Sequence, residues 1–430
     1  MLQPTMQAKQ LASSAESLFL LQEVNVNFSH PKVIEVQKVK VELYTKMEEF
    51  LADKKALDSY RSIKAKNQKA LEIIVDGHSY VNLSSNDYLG LAQDMSIVHE
   101  FYESTDFKNI RLSSSGSPLL TGAHDSYEKA NSAIQNLFGR SALFFNSGFA
   151  ANSGVISALS DADTLIIADK LAHASMIDGL TGAKGKYLRF AHNDYDHLER
   201  LIKSNLDKYD NILVVTEAVF SMDGDRADIK KLCELKKQYS NVYLYVDEAH
   251  SFSVFAQNGA GLCASLGLAD EIDFILVTFG KGLGSQGACL VANQTAVNYL
   301  INTTRSLIFS TALSPLSFEH NAFMIEYMQK RNDLRERLYK ISEYIHQTIK
   351  DCSLENLSQS QIIPVLTYSN ENALKACSLF REKGFYAMPI RHPTVPQNKA
   401  RLRLSLSAAL SDDEVCALAD AIKDCKEKCR

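Results

Sequence analysis

The sequence predicts an α/β fold in which a mainly parallel sheet is covered by helices on both faces. Three observations carry that expectation. Short apolar runs recur through the middle of the chain, at residues 143–145, 164–168, 212–216, 242–246 and 274–277; runs without polar alternation suit strands buried on both sides. Segments of helical period separate them, among them residues 125–138, with Tyr127, Ala130, Ile134 and Leu137 on one face, and residues 229–239. Strand–helix alternation of this kind builds a parallel sheet. The runs also end in polar or glycine-containing stretches, and ligands of open α/β sheets gather at the carboxyl ends of the strands.

A chain of 430 residues exceeds one small domain, and 46% apolar with 23% charged residues is ordinary globular composition. Basic and acidic residues number 46 and 51, a net charge of −5, so no basic excess favours nucleic acid. The eight cysteines form no CxxC pair, which argues against a zinc site or a disulfide framework and fits a reducing compartment. No apolar run approaches the roughly 18 residues of a membrane helix. The start lacks a basic stretch followed by an apolar core. A cytoplasmic protein without a metal is therefore expected.

Taken in order, residues 1–40 carry little pattern and read as a leader of unassigned role. Residues 41–83 hold a helix over 41–60, with Leu43, Met47, Phe50, Leu51 and Leu57 at helical spacing. A basic cluster follows (Arg61, Lys64, Lys66, Lys69) that could face an anionic partner. A hairpin over 73–75 and 80–83 turns at Asp76-Gly77. Residues 84–316 are expected to form the large domain. Residues 317–430 supply a long linker helix running past Tyr339 and a small α+β domain. Its strands are at 362–367 and 401–406. Its helices are at 372–383, ended by Gly384, and at 412–426, opened by a Ser411/Glu414 capping box.

The chemistry concentrates where the strands end. The apolar run 274–277 leads into Thr278-Phe279-Gly280-Lys281-Gly282-Leu283-Gly284. The glycines let the backbone approach a ligand, and a desolvated lysine becomes a nucleophilic amine. Asp247 and His250 end a second strand, Ser221 a third, and His173 a fourth. Asn146-Ser147-Gly148-Phe149 runs from a strand into a helix start, where free N–H groups bind phosphate. An amine, a carboxylate, an imidazole and a phosphate cradle together suit pyridoxal phosphate. In that assignment Lys281 forms the imine and Asp247 faces the ring nitrogen. His173 stacks on the ring, and His250 and Ser221 contact the ring oxygen or steer the imine. Thr278, Ser147 and the Gly148 and Phe149 amides hold phosphate.

Several stretches resemble the α-oxoamine synthases, fold-type I pyridoxal-phosphate enzymes. They are Ser84-Ser85-Asn86-Asp87-Tyr88-Leu89-Gly90, Arg189-Phe190-Ala191-His192-Asn193-Asp194, Val219-Phe220-Ser221-Met222-Asp223-Gly224-Asp225, the Lys281 motif, Ile390-Arg391-His392-Pro393-Thr394-Val395-Pro396 and Ala400-Arg401-Leu402-Arg403-Leu404-Ser405-Leu406. The resemblance spans about residues 45–425. It implies condensation of an amino acid with an acyl thioester and loss of carbon dioxide. The biotin-pathway member is favoured, using L-alanine and a pimeloyl thioester on acyl carrier protein or coenzyme A. The alternatives are its sister synthases, which use glycine and acetyl-CoA, serine and a long acyl-CoA, or make a signal ketone. The resemblance further implies Lys281, His173 and Asp247 as catalytic, Arg61, Asn86, His173, Thr394 and Arg391 as substrate contacts, and a homodimer. Arg391 is expected to take the substrate carboxylate, whose geometry suits a guanidinium fork. One departure is the loop at 113–118, which holds three consecutive serines and a proline where the family is richer in glycine.

Overall fold

The computed structural model describes residues 31–57, 59–92, 94–392 and 394–429, with side chains from Leu43 onward. Most of the leader expected over 1–40 lies outside them. The chain falls into two compact units, one ending at Ala65 and the other beginning at Lys66. The first contains the helix Pro31–Ala56, whose Leu43, Met47, Phe50 and Leu51 are exposed. Arg61 is also exposed there.

The second unit is built on a seven-stranded sheet. Its strands are β4 (Ser141–Phe145), β5 (Thr164–Asp169), β6 (Tyr187–Phe190), β7 (Asn211–Glu217), β8 (Val242–Asp247), β9 (Phe274–Thr278) and β10 (Ala288–Ala292). They are ordered β4-β10-β9-β8-β7-β5-β6. All pairings are parallel except those of β10, which runs antiparallel between β4 and β9. The five expected strands are present; β6 and β10 are additions. Strand pleating sends alternate residues to opposite faces. Leu165 and Ile167 of β5 join one buried cluster, while Ile166 and Ala168 join the other. Burying each such side chain contributes about 2 kcal/mol before the entropy of ordering is counted. Fully apolar strands therefore commit the sheet to the middle layer.

A smaller sheet comprises β1 (Asn67–Lys69), β2 (Glu72–Val75), β3 (His78–Asn82) and β12 (Phe385–Tyr386). The expected β2–β3 hairpin pairs Ile73 with Tyr80 and turns through Asp76 and Gly77, both at positive φ (51° and 81°), the primed-turn conformation. β3 also pairs in parallel with β12, which joins the hairpin to the C-terminal region. There β11 (Ile362–Tyr368), β13 (Met388–Ile390) and β14 (Ala400–Ser405) form an antiparallel sheet in the order β11-β14-β13. The helix Asp412–Lys428 carries the expected Ser411/Glu414 capping box.

The single long linker helix is corrected to two, Pro315–Gln329 and Asn332–Asp351. Between them Arg331 is non-helical, with its guanidinium on Asp333. Arg335 donates to the Met328 carbonyl at 2.8 Å, which also accepts from the Arg331 N–H. No described helix is long and apolar enough to cross a membrane.

Candidate active site

The site is assembled at the carboxyl ends of β5, β7, β8 and β9. Register places Glu217, the last residue of β7, beside Asp247, the last of β8. Lys281 follows β9 by three residues. Its Nζ lies 2.8 Å from His250 Nε2. His250 is 4% exposed, and its Nδ1 meets the Tyr88 hydroxyl at 2.6 Å. Burial, with the Lys281 and Arg403 charges, pushes His250 well below its ordinary pKa, so the ring is neutral. Burial likewise lowers the Lys281 amine, against the opposing pull of Asp247 and Glu217.

Asp247 is held at both oxygens. The Ala249 N–H donates to Oδ1 and the Asn152 side-chain amide to Oδ2, each at 2.8 Å. The Asp247 charge reaches both Lys281 and His173. His173 precedes the helix Ala174–Thr181 and caps it, its Nδ1 accepting from the Ser175 N–H. Its imidazole is part-buried, although the residue as a whole is exposed.

Glu217 was not singled out from the sequence. It is 3% exposed, and its Oε1 has no partner among the described residues. Burial first, then the Asp247 charge, raise it far above the carboxylate range. The signal was present: a carboxylate directly after an apolar strand, level with Asp247.

Opposite the lysine, the helix Gly148–Ala158 begins with Ser147 as its cap, accepting from the Ala150 N–H. The first N–H groups of a helix have no partner inside it. Here they belong to Gly148 and Phe149. A Cβ on Gly148 would lie 2.6 Å from Thr278 Cγ2, so the cradle closes only around glycine. The Phe149 ring is 49% exposed, so what it offers a phosphate is its amide. The partnerless Glu217 oxygen, the glycine cradle with its free amides, the desolvated amine and the anchored carboxylate fit pyridoxal phosphate.

A second missed residue is Arg403 on β14. It donates from NH2 to Asn86 Oδ1 (3.1 Å) and from Nε to the Ser221 carbonyl (2.6 Å). Asn86 also accepts from the Tyr88 hydroxyl at 3.1 Å. Arg403 thus ties the expected residues Asn86 and Ser221 to His250 through Tyr88. Arg391 and Thr394 lie in a separate turn beyond β13, where the Thr394 N–H donates to the Arg391 carbonyl. The Arg391 charge acts on the Cys377 thiol. Within the basic cluster Lys66 is engaged, its Nζ 2.8 Å from the Tyr386 hydroxyl. The serine-rich loop is seated by Ser114, which donates to the Leu313 carbonyl, and by Gly116, whose carbonyl accepts from Ala312.

The family model described as aminotransferase class I and II matches residues 78–422. A relative named "Putative 8-amino-7-oxononanoate synthase" from Glaesserella parasuis serovar 5 is 44% identical over 348 residues, covering 80% of this chain and 91% of its own. One of the same name from Neisseria meningitidis serogroup C is 43% identical over 361 residues, covering 84% and 95%. Among solved structures, the serine palmitoyltransferase of Sphingomonas wittichii superposes with a TM-score of 0.82 at 26% identity, covering 90% of this chain and 98% of its own. A structure described as SPT with its PLP internal aldimine gives 0.82 at 25%, with the same coverage. The 8-amino-7-oxononanoate synthase of Francisella tularensis gives 0.65 at 26%, covering 81% and 98%.

Proposed function

The chain belongs to the aminotransferase class I and II family, and from that premise we propose that it condenses L-alanine with a pimeloyl thioester, releasing carbon dioxide and giving 8-amino-7-oxononanoate for biotin synthesis. It is a pyridoxal-phosphate-dependent acyltransferase. The observation that carries the reading is the pairing of a desolvated Lys281 amine with a neutral His250, in the field of the anchored Asp247 carboxylate.

Pyridoxal phosphate supplies an aldehyde that takes up amines and a ring that accepts the electrons left when a bond to the substrate α-carbon breaks. The protein does the rest. Asp247, held by Ala249 and Asn152, would be the partner of the ring nitrogen and would favour its protonated form. Thr278, Ser147 and the Gly148 and Phe149 amides would hold the phosphate. Lys281, its amine pKa lowered by burial, is the group assigned to collect the alanine α-proton. The neighbouring Glu217, its pKa raised, can store a proton nearby. Arg403 and Asn86 are placed to grip the amino-acid carboxylate, because the guanidinium fork is already oriented by Asn86 and the Ser221 carbonyl. Arg391, Thr394 and Arg61 each remain a candidate substrate contact. A homodimer and a cytoplasmic location complete the proposal.

The second reading is a sister synthase that uses serine and a long acyl-CoA. It is favoured by the higher TM-score of the serine palmitoyltransferases (0.82 against 0.65). Sequence weighs the other way, at 44% identity against 26%. The test offers the purified holoenzyme alanine, glycine or serine, each with pimeloyl, acetyl or palmitoyl thioesters on coenzyme A, and alanine with pimeloyl acyl carrier protein. Products are identified by mass. 8-Amino-7-oxononanoate as the main product supports the proposal; a long-chain keto product from serine overturns it.

A further inference from the structure

Asn152, Ser175 and Tyr245 form a buried chain of hydrogen bonds between Asp247 and His173. Asn152 is 1% exposed and Ser175 1%. The Asn152 amide nitrogen lies 2.8 Å from Asp247 Oδ2 and 3.0 Å from Ser175 Oγ. The Tyr245 hydroxyl lies 2.8 Å from the Asn152 carbonyl oxygen. Ser175 Oγ in turn lies 2.8 Å from His173 Nδ1, and the Ser175 backbone N–H points at the same nitrogen from 3.2 Å.

The directions of these bonds follow from what each group can do. A carboxylate only accepts, so the Asn152 NH2 must face Asp247 and its oxygen must face Tyr245, which donates. The second N–H of Asn152 then goes to Ser175 Oγ. That leaves the Ser175 hydroxyl hydrogen free for His173 Nδ1. The Ser175 backbone N–H cannot give up its proton, so it can only donate to Nδ1. Both Ser175 donors thus require an unprotonated Nδ1, and the single proton of the neutral ring sits on Nε2. The titratable groups around the ring are Asp247, Lys281 and His250, with Glu217 bonded to the His173 backbone. Burial and Lys281 lower the imidazole, Asp247 opposes them, and the net shift is downward, toward the neutral ring.

We infer that Asn152 and Ser175 are positioning residues that hold His173 as the neutral Nε2–H tautomer, so that this imidazole presents the cleft with a hydrogen-bond donor and no base. His173 then stabilises an oxygen gaining negative charge but does not abstract the α-proton, which falls to Lys281. The consequence for catalysis rests on the proposed condensation; the tautomer does not.

The test is two-bond proton–nitrogen NMR on holoenzyme labelled at its histidines, with the His173 signals assigned by their loss in His173→Gln. The expected pattern at neutral pH is Nε2–H, with unprotonated Nδ1. Dominant Nδ1–H or imidazolium at neutral pH overturns the inference. Ser175→Ala should raise the apparent His173 pKa and lower kcat about tenfold, the size of one oriented hydrogen bond, with little change in the alanine KM. Ser175→Thr, which keeps the hydroxyl, should restore both. A Ser175→Ala enzyme with unchanged NMR and pH profile overturns the positioning role. Absence of 8-amino-7-oxononanoate alongside a clean Nε2–H signal would refute the substrate reading and uphold this one.

Discussion

Replacing His192 by glutamine is predicted to remove an ion clamp that holds two site-bearing loops together. His192 Nδ1 lies 2.9 Å from Asp169 and Nε2 lies 2.7 Å from Asp225. Asp169 ends β5, four residues before His173, and Asp225 is four residues after Ser221. Two carboxylates on one ring make both nitrogens donors, so the ring is an imidazolium. Burial alone would lower its pKa, but the bonds to Asp169 and Asp225 outweigh it and raise the value from 6.5 to about 9. The His192 side chain is 24% exposed and Asp169 0%, so solvent screening takes only part of the effect. The shift is worth about 3 kcal/mol, at about 1.36 kcal/mol per pKa unit. Because the folded pKa is raised, the stabilisation is fully present below pH 6.5 and is lost as pH rises through about 9. Urea unfolding of wild type and His192→Gln should therefore differ by about 3 kcal/mol at pH 6 and converge by pH 10. A difference that stays constant across that range would refute the imidazolium clamp, since a packing loss has no such pH dependence.

Three further outcomes follow from the site. Lys281→Ala should bind pyridoxal phosphate without the absorbance band of the lysine-linked cofactor and should lose turnover; a normal spectrum would exclude Lys281 as the linking amine. Arg403→Ala should raise the alanine KM by roughly 10- to 100-fold, the loss of a charge-assisted hydrogen bond, as measured by initial rates; an unchanged KM would return the carboxylate role to Arg391. Gly148→Ala places a methyl 2.6 Å from Thr278 Cγ2 and should weaken cofactor binding by about 1–3 kcal/mol in a titration followed by absorbance, with Thr278→Ser, which lacks that Cγ2, relieving the clash in the double variant.

Much of this protein was legible in its sequence because the determinants are local. Apolar runs such as Ile212–Thr216 have nowhere to go but the middle of a layered fold, and Asp76-Gly77 adopts the one turn its φ angles favour. Lys281, Asp247 and His173 could be singled out because each stands at or just beyond the end of a strand, and these strands end on the same edge. The misses share a cause. β10 follows the glycine stretch without a helix and runs backwards between two strands, so alternation did not announce it. The linker break is marked by Arg331 turning onto Asp333 and Arg335 reaching back to Met328, contacts that helical period does not announce.

The site itself divides the same way. Which side chains are candidates for the chemistry follows from residue type and position along each strand, and the sequence alone determined that. Which of them touch, and in what protonation state, was decided only by the tertiary structure. Asn86 and Arg403 are 317 residues apart in the chain and meet at 3.1 Å. The lowered Lys281, the raised Glu217, the neutral His250 and the charged His192 all arise from burial and from neighbours on other strands and loops. Desolvation and Coulomb interaction depend on distance through space, and no reading of spacing along the chain supplies that distance.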